Sequence, residues 1–317
     1  MKKVAIRINT TALGDTISSI PTLNKLAKSY EQPLTVFTTI PSLFKNHPSV
    51  FEVKDIKDDT SGYVLHELMR FKDNPNTGDF KMHNMIDIRQ FSAWDIGISL
   101  TTDELECDIY CEEEYPIGVE DYVIIHPSIT WNSRSWSGGS WQALADQLIG
   151  LNIPVVIVGN DNNQSSSEWN YDSQKYISKD IHNIEGGINL INKTTIPQLR
   201  WMMSNQALCV VTMDSGILHL AGTTDCNIIQ LGSSINHKLR APWRKGSQDY
   251  KYQYVGGDCK IACGSNLKYH LKEWGVIRGV PPIENCLENY PQFECHPQVE
   301  NVLNSIRGVK NENSIKI

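Results

Sequence analysis

The sequence lacks the features that mark membrane-spanning, secreted and strongly nucleic-acid-binding proteins. No run approaches the ~20 apolar residues of a membrane span, and the N-terminus, MKKVAIRINTT, has too short an apolar core for a secretory signal. Acidic residues outnumber basic ones, and the net charge of −7 weighs against a large basic face for nucleic acid, although a local basic cleft stays compatible with it. Internal repeats are absent as well. We therefore expect a globular cytoplasmic protein with no transmembrane segment.

Length and periodicity predict two α/β domains. A chain of 317 residues is long for one hydrophobic core, and short apolar runs alternate with helical spacing, which is typical of parallel sheets covered on both faces. The acidic stretch 112–121 contains Pro and Gly, lacks periodicity and is interpreted as the linker. We predict an N-terminal Rossmann-like domain at 1–116 and a second one at 117–296, with a cysteine-rich segment at 256–296. A helix and tail at 297–317 would pack back on the N-terminal domain.

The spacing of apolar residues also predicts individual elements. In the first half it predicts strands at 4–8, 34–38, 51–56 and 85–88, and helices at 15–29 and 64–71. In the second half it predicts strands at 122–125 and 155–158, helices at 141–151 and 197–204, and a last helix at 297–307. This doubled alternation predicts two separate sheets that face each other across a cleft.

The most informative stretch is LCVVTMDSGILHLAGTTDCNIIQLG, residues 208–232. Its apolar start predicts a strand, an abrupt polar turn follows at 214–216, and helical spacing then leads into a second apolar strand. In open α/β sheets, ligands dock at the carboxyl ends of strands, where helix N-termini present N–H groups to anions. The turn therefore predicts a site for a negatively charged ligand. Ser215 and Gly216 would meet a phosphate first, and His219 would lie one helical turn further along.

Three groups of residues resemble glycosyltransferase family 9, the heptosyltransferase-like enzymes of GT-B fold. The groups are Ala12-Leu13-Gly14-Asp15 with Pro21, His126-Pro127 followed by Arg134-Ser135-Trp136, and Asp214-Ser215-Gly216 with His219. They occur in the family's order over roughly residues 3–245. The longer pattern is also similar to that of members encoded by tailed bacteriophages. The resemblance implies a GT-B enzyme with two Rossmann-like domains facing across a cleft.

The resemblance also implies where the substrates bind. A nucleotide-diphosphate sugar, the donor, would be held mainly by the C-terminal domain, and the acceptor by the N-terminal one. Asp15 matches the family's catalytic aspartate, and Arg134 stands where many members have a lysine that contacts the diphosphate. The motif around the donor phosphates and sugar is matched by Asp214, Ser215, Gly216 and His219.

The sequence contains no Asp-x-Asp triplet, so a metal that bridges the diphosphate is not indicated and no catalytic cofactor is expected. Protein cations and a helix dipole would take the place of that metal. One feature of the family is not evident here. The acidic residue that usually follows the strand ending at Gly159 would fall in 160–163, which reads Asn-Asp-Asn-Asn. The base and the sugar of the donor are therefore not assigned.

Each main site residue also has a purely structural interpretation. Asp15 could accept the acceptor's proton as a general base, or it could cap the helix that follows. Arg134 could bind phosphate oxygens through its guanidinium, or it could be a solvated surface arginine. His219 could hydrogen-bond the donor, or it could be a satisfied core histidine. The resemblance favours the functional interpretation for all three.

Weaker signals concern the acceptor side and a basic run. Gly14, Asp87 and Arg89 are assigned to the acceptor side, but a buried ion pair explains Asp87 and Arg89 equally well. The basic run consists of Lys238, Arg240, Arg244 and Lys245. Such a run is usually a solvated face, and near the cleft it would help to hold phosphate.

Eight cysteines in a chain with cytoplasmic features point to reduced thiols or metal ligands rather than to a disulfide framework. Cys259, Cys263, Cys286 and Cys295 lie within about forty residues and could close a tetrahedral site for a structural zinc or iron. The segment resembles the cysteine-bound iron finger of autotransporter heptosyltransferases, although its spacings are not an exact match. Unligated thiols and two disulfides are the alternatives.

Together these observations predict an inverting glycosyltransferase that moves a sugar from a nucleotide-diphosphate sugar to a hydroxyl. The family resemblance implies a lipopolysaccharide or another glycan as the acceptor. The bacteriophage resemblance implies an alternative, arabinosyl or glucosyl transfer to 5-hydroxymethylated cytosine in DNA. A non-catalytic sugar-nucleotide-binding module belongs to another class, and the retention of Asp15 and Arg134 argues against it. A GT-B epimerase would need further acid–base carboxylates in the cleft, and the sequence does not identify them.

Overall fold

The chain folds into two parallel sheets, one from each half. The computed structural model describes residues 3–69, 86–129, 132–160, 168–170, 175–177, 180–244, 251–266, 286, 290 and 293–314. In this part of the chain, no helix combines the length and the apolar character that a membrane crossing requires. The sheets share no strand, as the doubled alternation of strand and helix signals predicts.

The first sheet is built from the N-terminal half. Its strands are β1 (Lys3–Ile8), β2 (Leu34–Thr38), β3 (Val50–Asp55) and β4 (Tyr63–Leu68), all parallel in the order β3-β2-β1-β4. Two helices, α1 (Leu13–Ser18) and α2 (Ile20–Ser29), connect β1 to β2, and α3 (Ile88–Trp94) follows later. The single helix expected at 15–29 is thus divided at Ser19. Residues 112–121 contain no helix or strand and lead into the second half.

The second sheet is built from the C-terminal half. Its elements begin with β5 (Tyr122–His126), β6 (Ser128–Ile129), α4 (Gly138–Gly150), β7 (Val155–Ile157), β8 (Glu168–Asn170), β9 (Lys175–Ile177), β10 (Asp180–Ile181) and β11 (Ile188–Asn189). They continue with α5 (Ile196–Asn205), β12 (Ala207–Thr212), α6 (Gly216–Gly222), β13 (Asn227–Leu231), β14 (Tyr252–Val255) and α7 (Val299–Ser314). The parallel order is β11-β7-β5-β12-β13-β14. Strands β6 with β10, and β8 with β9, form antiparallel ribbons.

The last helix packs on the second sheet. Its buried side chains, Val302, Leu303, Ile306 and Val309, join a core that also contains Trp141 and Leu144 of α4. Their spacing places them on one face of α7, and α4 supplies the apolar partner for that face. The expectation that this helix packs back on the N-terminal domain is therefore not what the structure shows.

Two elements of the first half differ from the expectations. In the expected helix at 64–71, residues 64–68 instead belong to strand β4, which pairs with β1 in unbroken register from Lys3 opposite Tyr63 to Ile8 opposite Leu68, and residues 70–71 lie outside the described residues. Hydrogen bonds along the whole of β1 outweigh the modest helix preference of this segment. In the expected strand at 85–88, Ile88 instead begins α3 and residue 85 lies outside the described residues.

Candidate active site

The two halves of the chain meet where α1 packs against α6. Two glycines permit the close approach. A Cβ atom on Gly14 would lie 2.7 Å from Cδ2 of His219, and one on Gly216 would lie 2.8 Å from Cβ of Leu13. A side chain at either position would force the helices apart. The contact therefore brings the start of α1, which carries Asp15, against the start of α6.

Asp15 lies in the first turn of α1, three residues after the N-cap residue Ala12. It is therefore not the N-cap, which corrects the structural interpretation of this residue, although a negative charge in a first turn is still favourable. Its Oδ2 accepts a hydrogen bond from the Thr10 hydroxyl at 3.2 Å. The same hydroxyl oxygen accepts the N–H of Ala12 at 3.1 Å. Thr10 thus fixes the half-buried carboxylate relative to the loop before α1.

Two arginines converge on the carboxylate of Asp214, two residues beyond β12. Arg134 Nη2 lies 3.4 Å and Arg240 Nε lies 3.8 Å from the same oxygen, Oδ2. Arg134 also donates to the main-chain carbonyl of Asp214 at 2.6 Å. The side chains of Asp214 and Arg240 are 4% and 2% exposed. These three groups together carry one net positive charge in a largely buried setting.

His219 lies within electrostatic range of two carboxylates and two arginines. The pKa of His219 is lowered to about 4, mainly by burial; the charges of Arg240 and Arg89 act in the same direction, and those of Asp214 and Asp15 oppose it. The ring is therefore neutral at neutral pH and offers one N–H donor and one acceptor nitrogen. His219 can hydrogen-bond a ligand, but it does not add a positive charge to the site.

Asp87 and Arg89 form an ion pair at the start of α3. Arg89 Nε donates to Oδ1 of Asp87 at 2.7 Å, and its Nη2 binds Oδ2. Asp87 also caps α3 by accepting the N–H of Arg89 at 2.9 Å. The pair lies near the site, since the charge of Arg89 affects the pKa of His219. This geometry agrees with the interpretation of Asp87 and Arg89 as a buried ion pair. Their assignment to the acceptor side stays a prediction.

Ser215 is tied into a polar network at the carboxyl ends of β5 and β12. Its Oγ lies 2.9 Å from Oγ1 of Thr212 and 3.2 Å from Nδ1 of His126. Helix α6, which begins at the next residue, is seven residues long. Its dipole is therefore a small contribution beside the two guanidinium groups at Asp214. We therefore expect the positive potential at this turn to come mainly from side chains.

A family model described as glycosyltransferase family 9 (heptosyltransferase) matches residues 82–259, which is more than half of the chain. The matched range contains Arg134, the turn at 214–216, His219 and Arg240. The chain belongs to glycosyltransferase family 9. This confirms the resemblance drawn from the three groups of residues and makes the protein a glycosyltransferase. No curated protein matches the sequence significantly.

Solved structures show the same fold at low sequence identity. The iron-containing dodecameric glycosyltransferase TibC from enterotoxigenic E. coli H10407 is 14% identical, with a TM-score of 0.65 over 98% of this chain and 80% of that one. The TibC complex with ADP-D-beta-D-heptose is also 14% identical, with a TM-score of 0.64 over 98% and 76%. A family 9 glycosyltransferase from Veillonella parvula DSM 2008 is 13% identical, with a TM-score of 0.57 over 98% and 99%. The predicted GT-B arrangement is thereby confirmed.

The transferase buries two arginines of the basic run, so these two do not belong to a solvated face, which is the usual place of such a run. Arg240 is 2% exposed and donates to the carbonyl of Ile86 at 3.4 Å, a contact between the two halves of the chain. Arg244 is 7% exposed and donates to main-chain carbonyls within 221–226. Lys245 lies outside the described residues. The sequence feature that indicates a site role for Arg240 is its place beyond the carboxyl end of a buried strand. That end lies at the same sheet edge as Asp214.

Of the four cysteines expected to bind a metal, Cys259, Cys263 and Cys286 lie within electrostatic range of Cys295. Burial raises the pKa of Cys295 to about 12, and the charges of the other three thiols add to the effect. Burial likewise raises the pKa of Cys263 to about 11, with contributions from Cys286 and Cys259. None of the eight cysteines is in a disulfide. Among the residues that the structure describes, however, no three His, Cys, Asp or Glu side chains are arranged to hold a metal ion.

The neutral state of His219 makes the transferase less stable in acid. Its pKa is about 4 in the folded chain and 6.5 in the reference state, so the unfolded chain binds more protons between these values. The free energy of unfolding therefore falls as the pH drops from 6.5 towards 4, and His219 accounts for at most about 2 kcal/mol of the loss between pH 7.5 and pH 5.

Urea unfolding of the wild type and of His219→Asn at pH 7.5 and pH 5 measures this contribution. The variant should lose less stability than the wild type over that interval, because the asparagine does not titrate. Since His47, whose pKa burial also lowers to about 4, is present in both proteins, its contribution cancels in the comparison. Equal losses in the two proteins would show that His219 is not buried as a neutral ring.

Proposed function

We propose that this transferase moves a sugar from a nucleotide-diphosphate sugar to an acceptor hydroxyl with inversion at the anomeric carbon. The observation that carries the proposal is the contact between α1 and α6. It brings a carboxylate from the N-terminal half, Asp15, to the cationic cluster of the C-terminal half. Both Asp15 and Asp214 act electrostatically on His219, so the acidic and cationic sides of the site lie within range of one another.

The cationic side would bind the donor diphosphate. Arg134, whose side chain is 18% exposed, can present its guanidinium to phosphate oxygens, and Arg240 adds a second buried positive charge. Asp214, which is predicted to belong to the donor site, would not touch the phosphates themselves, because a carboxylate repels them. Its role is that of a counter-ion that fixes the two guanidinium groups before the donor arrives. Fixed cations of this kind stabilise the negative charge that develops on the departing diphosphate.

The acidic side would provide the base. As the acceptor oxygen attacks the anomeric carbon from the face opposite the diphosphate, Asp15 takes its proton. The bond to the diphosphate breaks in the same displacement, so the anomeric configuration inverts and no glycosyl-enzyme intermediate forms. The hydrogen bond from Thr10 orients the carboxylate for this role. The neutral ring of His219 can donate a hydrogen bond to the donor between the two sides.

The donor and acceptor follow from the family and from charge. TibC has been solved with ADP-D-beta-D-heptose, so this compound is the first donor to test, with other nucleoside-diphosphate sugars beside it. A lipopolysaccharide or another glycan is the proposed acceptor. The net charge of −7 favours a glycan over DNA. We place the reaction in the cytoplasm, where such donors are made.

A transfer assay tests the proposal. Purified protein is incubated with ADP-heptose and a panel of UDP-, GDP- and CDP-sugars, with either lipopolysaccharide core or 5-hydroxymethylated DNA as the acceptor. We expect release of the nucleoside diphosphate that depends on the glycan, and a product of inverted configuration by NMR. Transfer to DNA alone would overturn the acceptor assignment. Absence of transfer from every donor to both acceptors would contradict the proposed function.

A structural metal at the four cysteines is a further part of the proposal. Its support is that Cys259, Cys263 and Cys286 raise the pKa of the buried Cys295 thiol, which puts them within electrostatic range of it, and that the similar structure of TibC contains iron. A bound cation would favour the thiolate forms. Purified protein should then carry about one zinc or iron per chain, with sulfurs about 2.3 Å from a zinc. The metal would have no part in the displacement, because four thiolates leave no position for substrate.

Elemental analysis of the wild type and of two cysteine variants tests this metal. Cys286→Ser should lose metal and melt at a lower temperature. Cys226→Ala, which removes a buried thiol outside the group, should keep the metal. If the wild type contains no metal, and if Cys286→Ser has an unchanged melting temperature and activity, the four cysteines do not form a structural metal site.

A further inference from the structure

We propose that His296 is a positioning residue for donor binding, because it holds the turn that carries Arg134. The proposal rests on the proposed function, in which Arg134 binds the donor diphosphate. His296 comes from the segment 293–297, at the end of the cysteine-rich segment and next to Cys295. It makes no contribution of charge to the donor in this proposal. It acts only through the main chain of the turn.

The turn that carries Arg134 has little support of its own. It is a three-residue 3₁₀ turn, Asn132–Arg134, closed by a hydrogen bond from the N–H of Ser135 to the carbonyl of Asn132 at 3.2 Å. A single 3₁₀ turn has few internal hydrogen bonds and poor hydrogen-bond geometry. Asp214 holds the guanidinium end of Arg134, and the position of the Arg134 main chain depends on what holds the turn from outside.

The outside support reaches Ser133, the fully buried residue at the centre of the turn. Its carbonyl accepts a hydrogen bond from Nε2 of His296 at 3.0 Å and one from the N–H of Ser234 at 3.4 Å. Its hydroxyl accepts a hydrogen bond from Ser234 Oγ at 2.9 Å. Both supporting residues come from beyond β13. Together they fix the peptide unit that joins Ser133 to Arg134.

The segment that carries His296 is itself fixed. Residues 294–296 pass over the ends of β13 and β14 so closely that a Cβ atom on Gly232 or Gly257 would collide with their main chain. The N–H of Gly257 bonds the Cys295 carbonyl at 2.9 Å, and the N–H of Cys259 bonds the Glu294 carbonyl at 3.1 Å. The indole N–H of Trp136, just beyond the turn, donates to the Pro297 carbonyl at 3.0 Å. The segment that carries His296 therefore cannot move unless the ends of β13 and β14 move with it.

Binding of nucleoside diphosphates to a set of variants tests the proposal. ADP, UDP, GDP and CDP are titrated by calorimetry into the wild type, and the tightest of them is carried forward. His296→Ala should raise its Kd by about 2- to 12-fold, the range for one lost hydrogen bond. His296→Gln keeps an N–H at similar reach and should restore binding. Ser234→Ala, which removes one hydrogen bond to Ser133 but leaves the ring, should give a smaller loss.

A double-mutant cycle distinguishes positioning from a general loss of structure. In the Arg134→Ala background, His296→Ala should leave the Kd unchanged, because nothing remains for the turn to position. The control is His66→Ala, which removes another half-buried ring with one Nε2 hydrogen bond, to Tyr30, on edge strand β4. It should leave the Kd of the wild type unchanged.

The possible results separate the two proposals. If no nucleoside diphosphate binds the wild type, or if Arg134→Ala binds as well as the wild type, the proposed donor site fails. If Arg134→Ala weakens binding while His296→Ala does not, the positioning role fails and the donor site stands. Additive losses in the double variant, or no rescue by glutamine, would also overturn the positioning role.

Discussion

Asp15→Asn should lower turnover by about 10²–10⁴-fold, the contribution typical of a general base. Asparagine keeps the size of the side chain and can still accept the hydrogen bond from Thr10, but it cannot take a proton. The residue lies in the N-terminal half, across the helix contact from the arginines, so donor affinity should change little. Steady-state kinetics and calorimetric titration on the same preparation measure the two effects separately.

The competing structural interpretation predicts the reverse pattern. If Asp15 serves only the first turn of α1, Asp15→Asn should cost about 1 kcal/mol of stability or less and leave turnover nearly intact. Thr10→Val provides a matched variant, because it removes the orienting hydroxyl but leaves the carboxylate. It should lower turnover less than Asp15→Asn does. An asparagine enzyme that works at close to the normal rate would remove Asp15 from the chemistry.

Arg134→Ala should weaken the binding of the nucleotide sugar by about 1.5–3 kcal/mol, the range for a lost charged hydrogen bond. The substitution removes one of the two cations at Asp214, but Arg240 remains as a partner for that buried carboxylate. The protein should therefore stay folded while its donor affinity falls. Calorimetric titration with the donor, together with the melting temperature, checks both parts of the prediction.

Arg134→Lys is the matched control for this site. Lysine keeps the positive charge but loses the planar fork that binds two oxygens at once. We expect an affinity between those of the wild type and the alanine variant, since the family resemblance places a lysine at this position in many members. Unchanged donor affinity in Arg134→Ala would mean that the guanidinium serves only the Asp214 turn.

The sequence was most informative where local signals and tertiary structure agree. The predicted strand at 34–38 is β2 residue for residue, because its five residues are all buried and Pro33 and Thr39 bound it. The stretch at 208–232 also folds as expected, as β12, α6 and β13, since its apolar runs and its polar turn leave few alternatives. The family and the GT-B fold are confirmed. The roles of Asp15 and Arg134 stay predictions.

The misjudged parts depend on partners distant in sequence. Strand β4 has residues that fit a helix, and only its pairing with β1 makes it a strand. Arg240 looks like part of a solvated basic run, and its burial follows from Asp214 and from the carbonyl of Ile86, 154 residues away. Helix α7 has an apolar face, but the pattern does not say which sheet it covers. The spacing of apolar residues shows that one face of a helix is apolar, but it does not show what that face contacts.

The contact between Ser133 and His296 also bears on when the donor site is complete during synthesis. The two residues are 163 positions apart, and the neighbouring contact from Trp136 to Pro297 spans 161. A ribosome-bound chain that has emerged only as far as residue 290 already contains both arginines and Asp214, but not the ring that steadies the Arg134 turn. Domains generally fold as units while the chain grows from its N-terminus. If His296 has the proposed positioning role, nascent forms of this enzyme should therefore reach their full nucleotide affinity only after the segment 293–297 has been made.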